Sequence, residues 1–143
     1  MTTVRFVAPA EFARVTRFYQ EVGYNGVLSE HDLVVVAQQG GRIVGALRLC
    51  RETGTLVLRG VRVLTSLQRQ GIGSRLLEGA VPYLSEENCY CLPHGHLKRF
   101  YGTIGFEELD PAAAPGFLVK RLEKYTTMGL STIIMLRKSS EKH

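Results

Sequence analysis

No apolar run in this 143-residue chain reaches the roughly 18 to 20 residues that a membrane-crossing helix needs, so a helical span is excluded. Met1 is not followed by a basic stretch and an apolar core, so no export signal is read and a cytoplasmic location is the expectation. The three cysteines are an odd number in a chain long enough to bury a core without staples. Cys89 and Cys91 form C-x-C and Cys50 stands far away, without the further ligands that zinc requires. No metal is expected, and the thiols read as core residues of a reducing compartment. Internal repeats, low-complexity tracts and linkers are also missing, and the composition (45% hydrophobic, 22% charged) is not that of a disordered chain. Residues 1–143 therefore read as a single domain.

Acidic residues are missing where it matters most. Between Arg59 and Arg75 there are four arginines and no Asp or Glu. The net charge of +5 suits a polyanionic ligand such as RNA, DNA or a phosphorylated cofactor. The chain lacks the aromatics interleaved with a basic stripe that single-stranded nucleic acid favours, which disfavours nucleic acid as the partner.

Periodicity gives the elements. Val4 to Val7 reads as a first strand, and Phe12, Val15, Phe18, Tyr19 and Val22 form a helical stripe ended by Gly23. A polar loop runs from Tyr24 to Asp32. Leu33–Ala37, Ile43–Cys50 and Leu56–Leu64, separated by Gly40-Gly41 and Thr53-Gly54, read as an antiparallel meander. Leu76, Leu77, Ala80, Val81 and Leu84 place a helix over Gly71–Leu84, which Pro82 should kink or end early. Then come a strand at Cys89–Leu92, a helix at His96–Gly105, a strand from Phe106 to Leu109 and a loop from Asp110 to Gly116. Strands at Phe117–Leu122 and Ser131–Arg137 follow, with a polar tail from Lys138 to His143. The order is that of a mixed α/β (α+β) domain on one sheet.

The most informative stretch runs from Val61 to Ser74, where a β-branched strand enters a loop and then a helix whose first turn holds Gly71 and Gly73. Free N–H groups at a helix N-terminus converge on one spot, and glycine lets a bulky anion reach them, so this turn suits phosphate or pyrophosphate. Neither G-x-x-x-x-G-K-[ST] nor G-x-G-x-x-G is present. By itself the segment also reads, as the lesser alternative, as a tight strand-to-helix turn that holds nothing.

Gln68-Arg69-Gln70-Gly71-Ile72-Gly73 resembles the [QR]-x-x-G-x-[GA] motif of the GNAT superfamily of acetyl-CoA-dependent N-acetyltransferases. About 30 residues later, Phe100-Tyr101-Gly102-Thr103-Ile104-Gly105-Phe106 is similar to that family's F-Y-x-x-x-G-F block. The resemblance implies an acyl-CoA N-acyltransferase fold, a mixed and mostly antiparallel sheet whose central strands splay apart, with flanking helices. It implies acetyl-CoA as co-substrate and no metal. The backbone of Val61, Arg62 and Val63 would pair with the pantetheine arm, and Gln68, Arg69, Gln70, Gly71, Ile72, Gly73 and Ser74 would hold the pyrophosphate. It also implies direct attack of a primary amine, from a small molecule or a peptide, on the thioester, and homodimers are common in that family.

Tyr101 is the candidate general acid for the departing thiolate, with a core aromatic as the alternative. Relatives often carry a glutamate on the motif strand, but Leu56–Leu64 holds no acid. That leaves His94 or His96 as candidate bases, or as surface and capping histidines, with Glu30 and His31 behind them. Tyr24, Glu30 and Asp32 are the groups that would attract a cationic amine, and loop polarity explains them equally well. Gly60 reads either as the site of a strand bulge or as a solvent-side glycine. A CoA-binding sensor or interaction module without turnover is the alternative function.

Overall fold

The structure, a computed structural model, describes residues 1–140. It forms two compact units, Met1–Tyr83 and a second beginning at Leu84.

The first unit is an antiparallel sheet in the order β1 (Thr2–Val7), β2 (Leu33–Gln39), β3 (Arg42–Glu52), β4 (Thr55–Val63). Two-residue turns make the hairpins. Gly40 (φ +58°) opens one, and Thr53 (φ +48°) with Gly54 (φ +79°) forms the other, the positive dihedrals that match strand twist. Helices cover both faces of β3. Gly45 faces Leu76 and Ile72 of α2 (Ile72–Ala80), while Arg48, of opposite parity, faces the side of α1 (Phe12–Glu21) and Tyr24. Ile43 to Cys50 is therefore buried without alternation. Val15, Phe18 and Tyr19 are the buried stripe of α1, and Ile72, Leu76, Leu77 and Ala80 that of α2. α2 lies close to its sheet, because a Cβ added at Gly79 would stand 2.7 Å from Val4 Cγ1. It stops at Ala80, where Pro82 lacks a donor and the chain tightens into a 3-10 turn.

In the second unit β7 (Met135–Arg137) lies antiparallel between β5 (Cys89–Cys91) and β6 (Glu107–Glu108). α3 (Lys98–Gly102) follows a 3-10 turn at Gly95–Leu97. Two expectations fail here. The segment Phe117–Leu122 is not a strand but the first half of helix α4 (Gly116–Thr127). The run Phe117-Leu118-Val119 imitates a strand, but the one buried residue is Leu118, and beyond half-buried Phe117 and Val119 the protection continues at Arg121, Leu122 and Tyr125, at helical spacing. The helix closes on Gly129 (φ +83°): Leu130 N–H bonds Tyr125 C=O at 3.0 Å and Gly129 N–H bonds Thr126 C=O at 2.9 Å. Of Ser131–Arg137 only the last three residues are strand, with an isolated bridge from Thr132 to His94. The expected polar tail is partly anchored, since Ser139 and Ser140 bond to Asn88 and Ser85; Glu141–His143 lie outside the described residues.

A helix and a strand at 116–127 put different residues on one face. Leu118 is fully buried and Lys120 is exposed, whereas in a strand the two would share a face. Leu118→Ala is expected to cost about 2 to 5 kcal/mol and Lys120→Ala within about 0.5 kcal/mol, both read by urea unfolding; equal costs would contradict the helix.

Candidate functional site

β4 does not run straight past β3. Arg48 pairs with Arg59 and Ala46 with Arg62, so three steps on β4 answer two on β3. The extra residue lies at Gly60, whose φ of +66° makes this a glycine bulge. Of the two readings of Gly60, the bulge holds. The Tyr19 hydroxyl fixes it by donating to Gly60 C=O at 2.8 Å. Burial drives the Tyr19 phenol above its ordinary range, which keeps it a donor.

Beside the bulge lies a buried ion pair that hydrophobic periodicity does not reveal. Arg48 and Asp32 are 4% and 7% exposed, with Arg48 Nη1 3.1 Å from Asp32 Oδ2. Arg48 also donates to Tyr24 Oη (3.0 Å) and Val27 C=O (2.7 Å), and Asp32 accepts from Ser29 N–H (3.0 Å). One guanidinium thus gathers the loop Tyr24–Asp32 onto the sheet. The Tyr24 ring is held between two arginines, its centroid 5.5 Å from Arg48 Cζ and 5.1 Å from Arg62 Cζ. Asp32 is consumed inside this network and is no surface acid for a cationic amine. Glu30 and His31 point away from the core, 79% and 82% exposed, and pair with each other at 3.6 Å.

Beyond β4 the chain makes a 3-10 turn at Thr65–Leu67 and then leaves ordinary backbone territory twice. Arg69 has φ +67° and Gly71, the residue before α2, has φ +83°. Gly71 suits that conformation and nothing lies within 4 Å of the Cβ it lacks. Arg69 does not suit it, at a cost of order 1 to 3 kcal/mol. The first closed turn is Arg75 N–H to Gly71 C=O at 3.1 Å, and among the described residues the N–H groups from Arg69 to Ser74 meet no protein acceptor. This is a run of free donors with a positive helix end behind it, a charge character that suits a phosphate group. Gln68 turns its amide back to Val63 C=O. Arg75 donates to Thr2 C=O at 2.7 Å.

In the second unit Tyr101 is 8% exposed on α3, edge-on to Phe100 (centroids 5.0 Å) and Phe106 (6.2 Å). Its carbonyl accepts from Ile104 and Phe106 N–H, which closes the turn through Gly105 (φ +97°). His94 and His96 are exposed neighbours with rings stacked at 5.8 Å. The three cysteines are buried and free, and burial pushes the Cys50 thiol up to about 12 and Cys91 up as well, so neither is a ready thiolate. No metal-ligating cluster occurs among the described residues, and no helix there is long and apolar enough to cross a membrane.

Residues 7–116, well over half of the chain, match the acetyltransferase (GNAT) domain model. The chain belongs to the GNAT acetyltransferase family. No curated protein matches it in sequence. Among solved structures, this GNAT chain is similar to the ribosomal-protein-S18-alanine N-acetyltransferase of Escherichia coli, with TM-score 0.73, 19% identity and coverage of 100% of this chain and 97% of that one. An acyl-CoA N-acyltransferase from Pseudomonas aeruginosa gives 0.68 and 20% identity, covering 96% and 99%. N-acetylglutamate synthase from Neisseria gonorrhoeae, solved with coenzyme A and N-acetyl-glutamate, gives 0.64 and 16%; the match covers 96% of this chain but only 35% of that one. These likenesses bear out the acyl-CoA N-acyltransferase fold.

The buried pair generates a test. Asp32→Asn strands the Arg48 charge and is expected to cost about 3 kcal/mol, whereas Arg48→Met with Asp32→Leu should recover most of it. Urea unfolding of the two variants reads both; a double variant no better than the single would show that the pair is not the unit that matters.

Proposed function

We propose that this GNAT domain transfers the acetyl group of acetyl-CoA to a primary amine by direct attack. The reading takes residues 1–143 as one catalytic domain, since the family match draws on both units, and places it in the cytoplasm. The observation that carries it is the run of unpartnered N–H groups from Arg69 to Ser74, immediately after a bulged strand. Gln68, Arg69, Gln70, Gly71, Ile72, Gly73 and Ser74 would hold the pyrophosphate, and the backbone of Val61, Arg62 and Val63 would align the pantetheine arm.

In the reaction the amine nitrogen forms a bond to the acetyl carbon and the carbon–sulfur bond breaks. The amine must first be neutral, and ordinary alkyl amines are mostly protonated at pH 7, so a proton acceptor or water takes the excess proton. His94 or His96 would be that acceptor. Backbone N–H groups near the bulge stabilise the tetrahedral oxyanion. Tyr101 donates a proton to the departing thiolate. The buried position of its side chain suits a donor that must exclude water, and its place in the Phe-Tyr block supports the assignment.

Two measurements test this. Acetyl-CoA at about 100 times its Kd should add roughly 2.7 kcal/mol to stability, where ATP and NAD do not. Gly71→Asp should abolish that gain by placing a carboxylate among the donors, while Gly71→Asn, with the same backbone demand and no charge, keeps a measurable part of it. Absence of any acetyl-CoA effect in the parent protein would sink the proposal. Separately, Tyr101→Phe should lower kcat about tenfold or more with the acetyl-CoA stabilisation retained. Binding without turnover of any amine would instead favour a CoA sensor, and an unchanged kcat would remove Tyr101 from the mechanism.

A further inference from the structure

The face of β3 and β4 turned toward Tyr24 has an imbalance of hydrogen-bonding groups. Cys50, Arg48 and Ala46 alternate along β3, and their partners Val57, Arg59 and Arg62 share that face. Three arginines therefore lie together around the bulge. Two are neutralised: Arg48 by Asp32 at 3.1 Å and Arg59 by Glu52 at 3.6 Å. Arg62 is not. It is exposed, stacked on Tyr24, and among the described residues its guanidinium meets only the carbonyl of Val61 at 3.1 Å and the ring. A guanidinium has five N–H donors, so most of its capacity is unspent.

The acceptors around it each already receive a donor. Gly60 C=O receives the Tyr19 hydroxyl, Val27 C=O receives Arg48, Val61 C=O receives Arg62 itself, and the Asp32 carboxylate receives Arg48 and Ser29. Tyr24 Oη accepts from Arg48 Nε, which leaves its own O–H to donate, and this hydroxyl lies against Gly60. The face beside the bulge therefore offers a free cation and a free hydroxyl proton, and among the described residues its carboxylates, Asp32 and Glu52, are already ion-paired with Arg48 and Arg59. That is the arrangement for a carboxylate, which accepts through both oxygens and pairs well with a planar guanidinium.

We infer that the acceptor is a small amine carrying a carboxylate, of the amino-acid type, whose carboxylate is held by Arg62 and Tyr24 while its amine faces the bulge. This rests on the acetyltransferase reading above and narrows it to one substrate class. Arg62 acts as a specificity residue. The fixed ring of Tyr24 limits the guanidinium to a narrow range of positions, so it selects the anion without a large entropy loss on binding. The Arg48–Asp32 pair acts through Tyr24, as a positioning device.

The test is acetyl transfer from acetyl-CoA to each standard amino acid and, in parallel, to its carboxamide. The carboxamide has the less basic amine and so the larger neutral fraction, which biases the comparison against the inference. The free acid of at least one amino acid is expected to exceed its amide in kcat/KM by about tenfold or more, the worth of a hydrogen-bonded charge pair. In Arg62→Gln that ratio should fall toward one, chiefly through KM, and Arg62→Lys should restore part of it. Equal rates for acid and amide, a preference for amides, or a ratio unmoved in Arg62→Gln would overturn it. So would a protein that acetyl-CoA stabilises but that acetylates only amines without a carboxylate. Thermal unfolding with acetyl-CoA on the same preparations reports on the parent reading independently, so the two failures are distinguishable.

Discussion

The α1 side of the first sheet depends on one buried guanidinium. Removing a charge from water is costly, and the cost at Arg48 is offset by three partners: a carboxylate, a phenol oxygen and a backbone carbonyl. Those three partners come from Tyr24, Val27 and Asp32, spread along a loop with no regular structure of its own. The guanidinium therefore does for this loop what a hydrogen-bonded ladder does for a strand. It gives the loop one favoured conformation and sets Tyr24 against the Gly60 bulge. Leu or Met in place of Arg48 could fill the volume, but would leave the loop without an address on the sheet.

The backbone carries the second constraint. At Gly60, Arg69 and Gly71 the chain adopts positive φ, and the three lie along the path from the bulged strand to the first turn of α2. Two are glycines and cost little. Arg69 is not, and the strain of its conformation is borne by the packing of β4 and α2 on either side. The result is a set of donors oriented before any anion arrives, so binding need not reorganise the loop. The Arg75 side chain is anchored at the end of β1, where it donates to Thr2 C=O.

Much of this was legible in the sequence. Gly40-Gly41 and Thr53-Gly54 marked the hairpins, Pro82 marked the end of α2, and the run from Gln68 to Gly73 marked the glycine turn into α2 with its unpartnered N–H groups, because each rests on a local backbone requirement that only a few residue types meet. The second half was harder. Phe117-Leu118-Val119 reads as a strand over a short window, and only the longer spacing through Tyr125, with Gly129 as a stop, shows the helix. The Arg48–Asp32 pair was the larger omission. Its one local sign was a lone charge in the apolar run from Ile43 to Cys50, and nothing in the order of residues says which of several nearby acids it meets. Pairings across loops are decided by three-dimensional closure, which periodicity does not record.

Gly79 has a consequence for how this family of surfaces can vary. It stands near the far end of α2 from the glycine turn, roughly 12 Å away at 1.5 Å per residue, and there is no room for a methyl group between it and Val4. The helix is rigid over so short a length. A larger side chain at that seat would lift the C-terminal end off the sheet and, with Ile72 and Leu76 as the fulcrum, swing the N-terminal donors through an angle. Tolerance to volume is therefore low at a position far from the donors, and their aim is set by the seating of the helix at its opposite end.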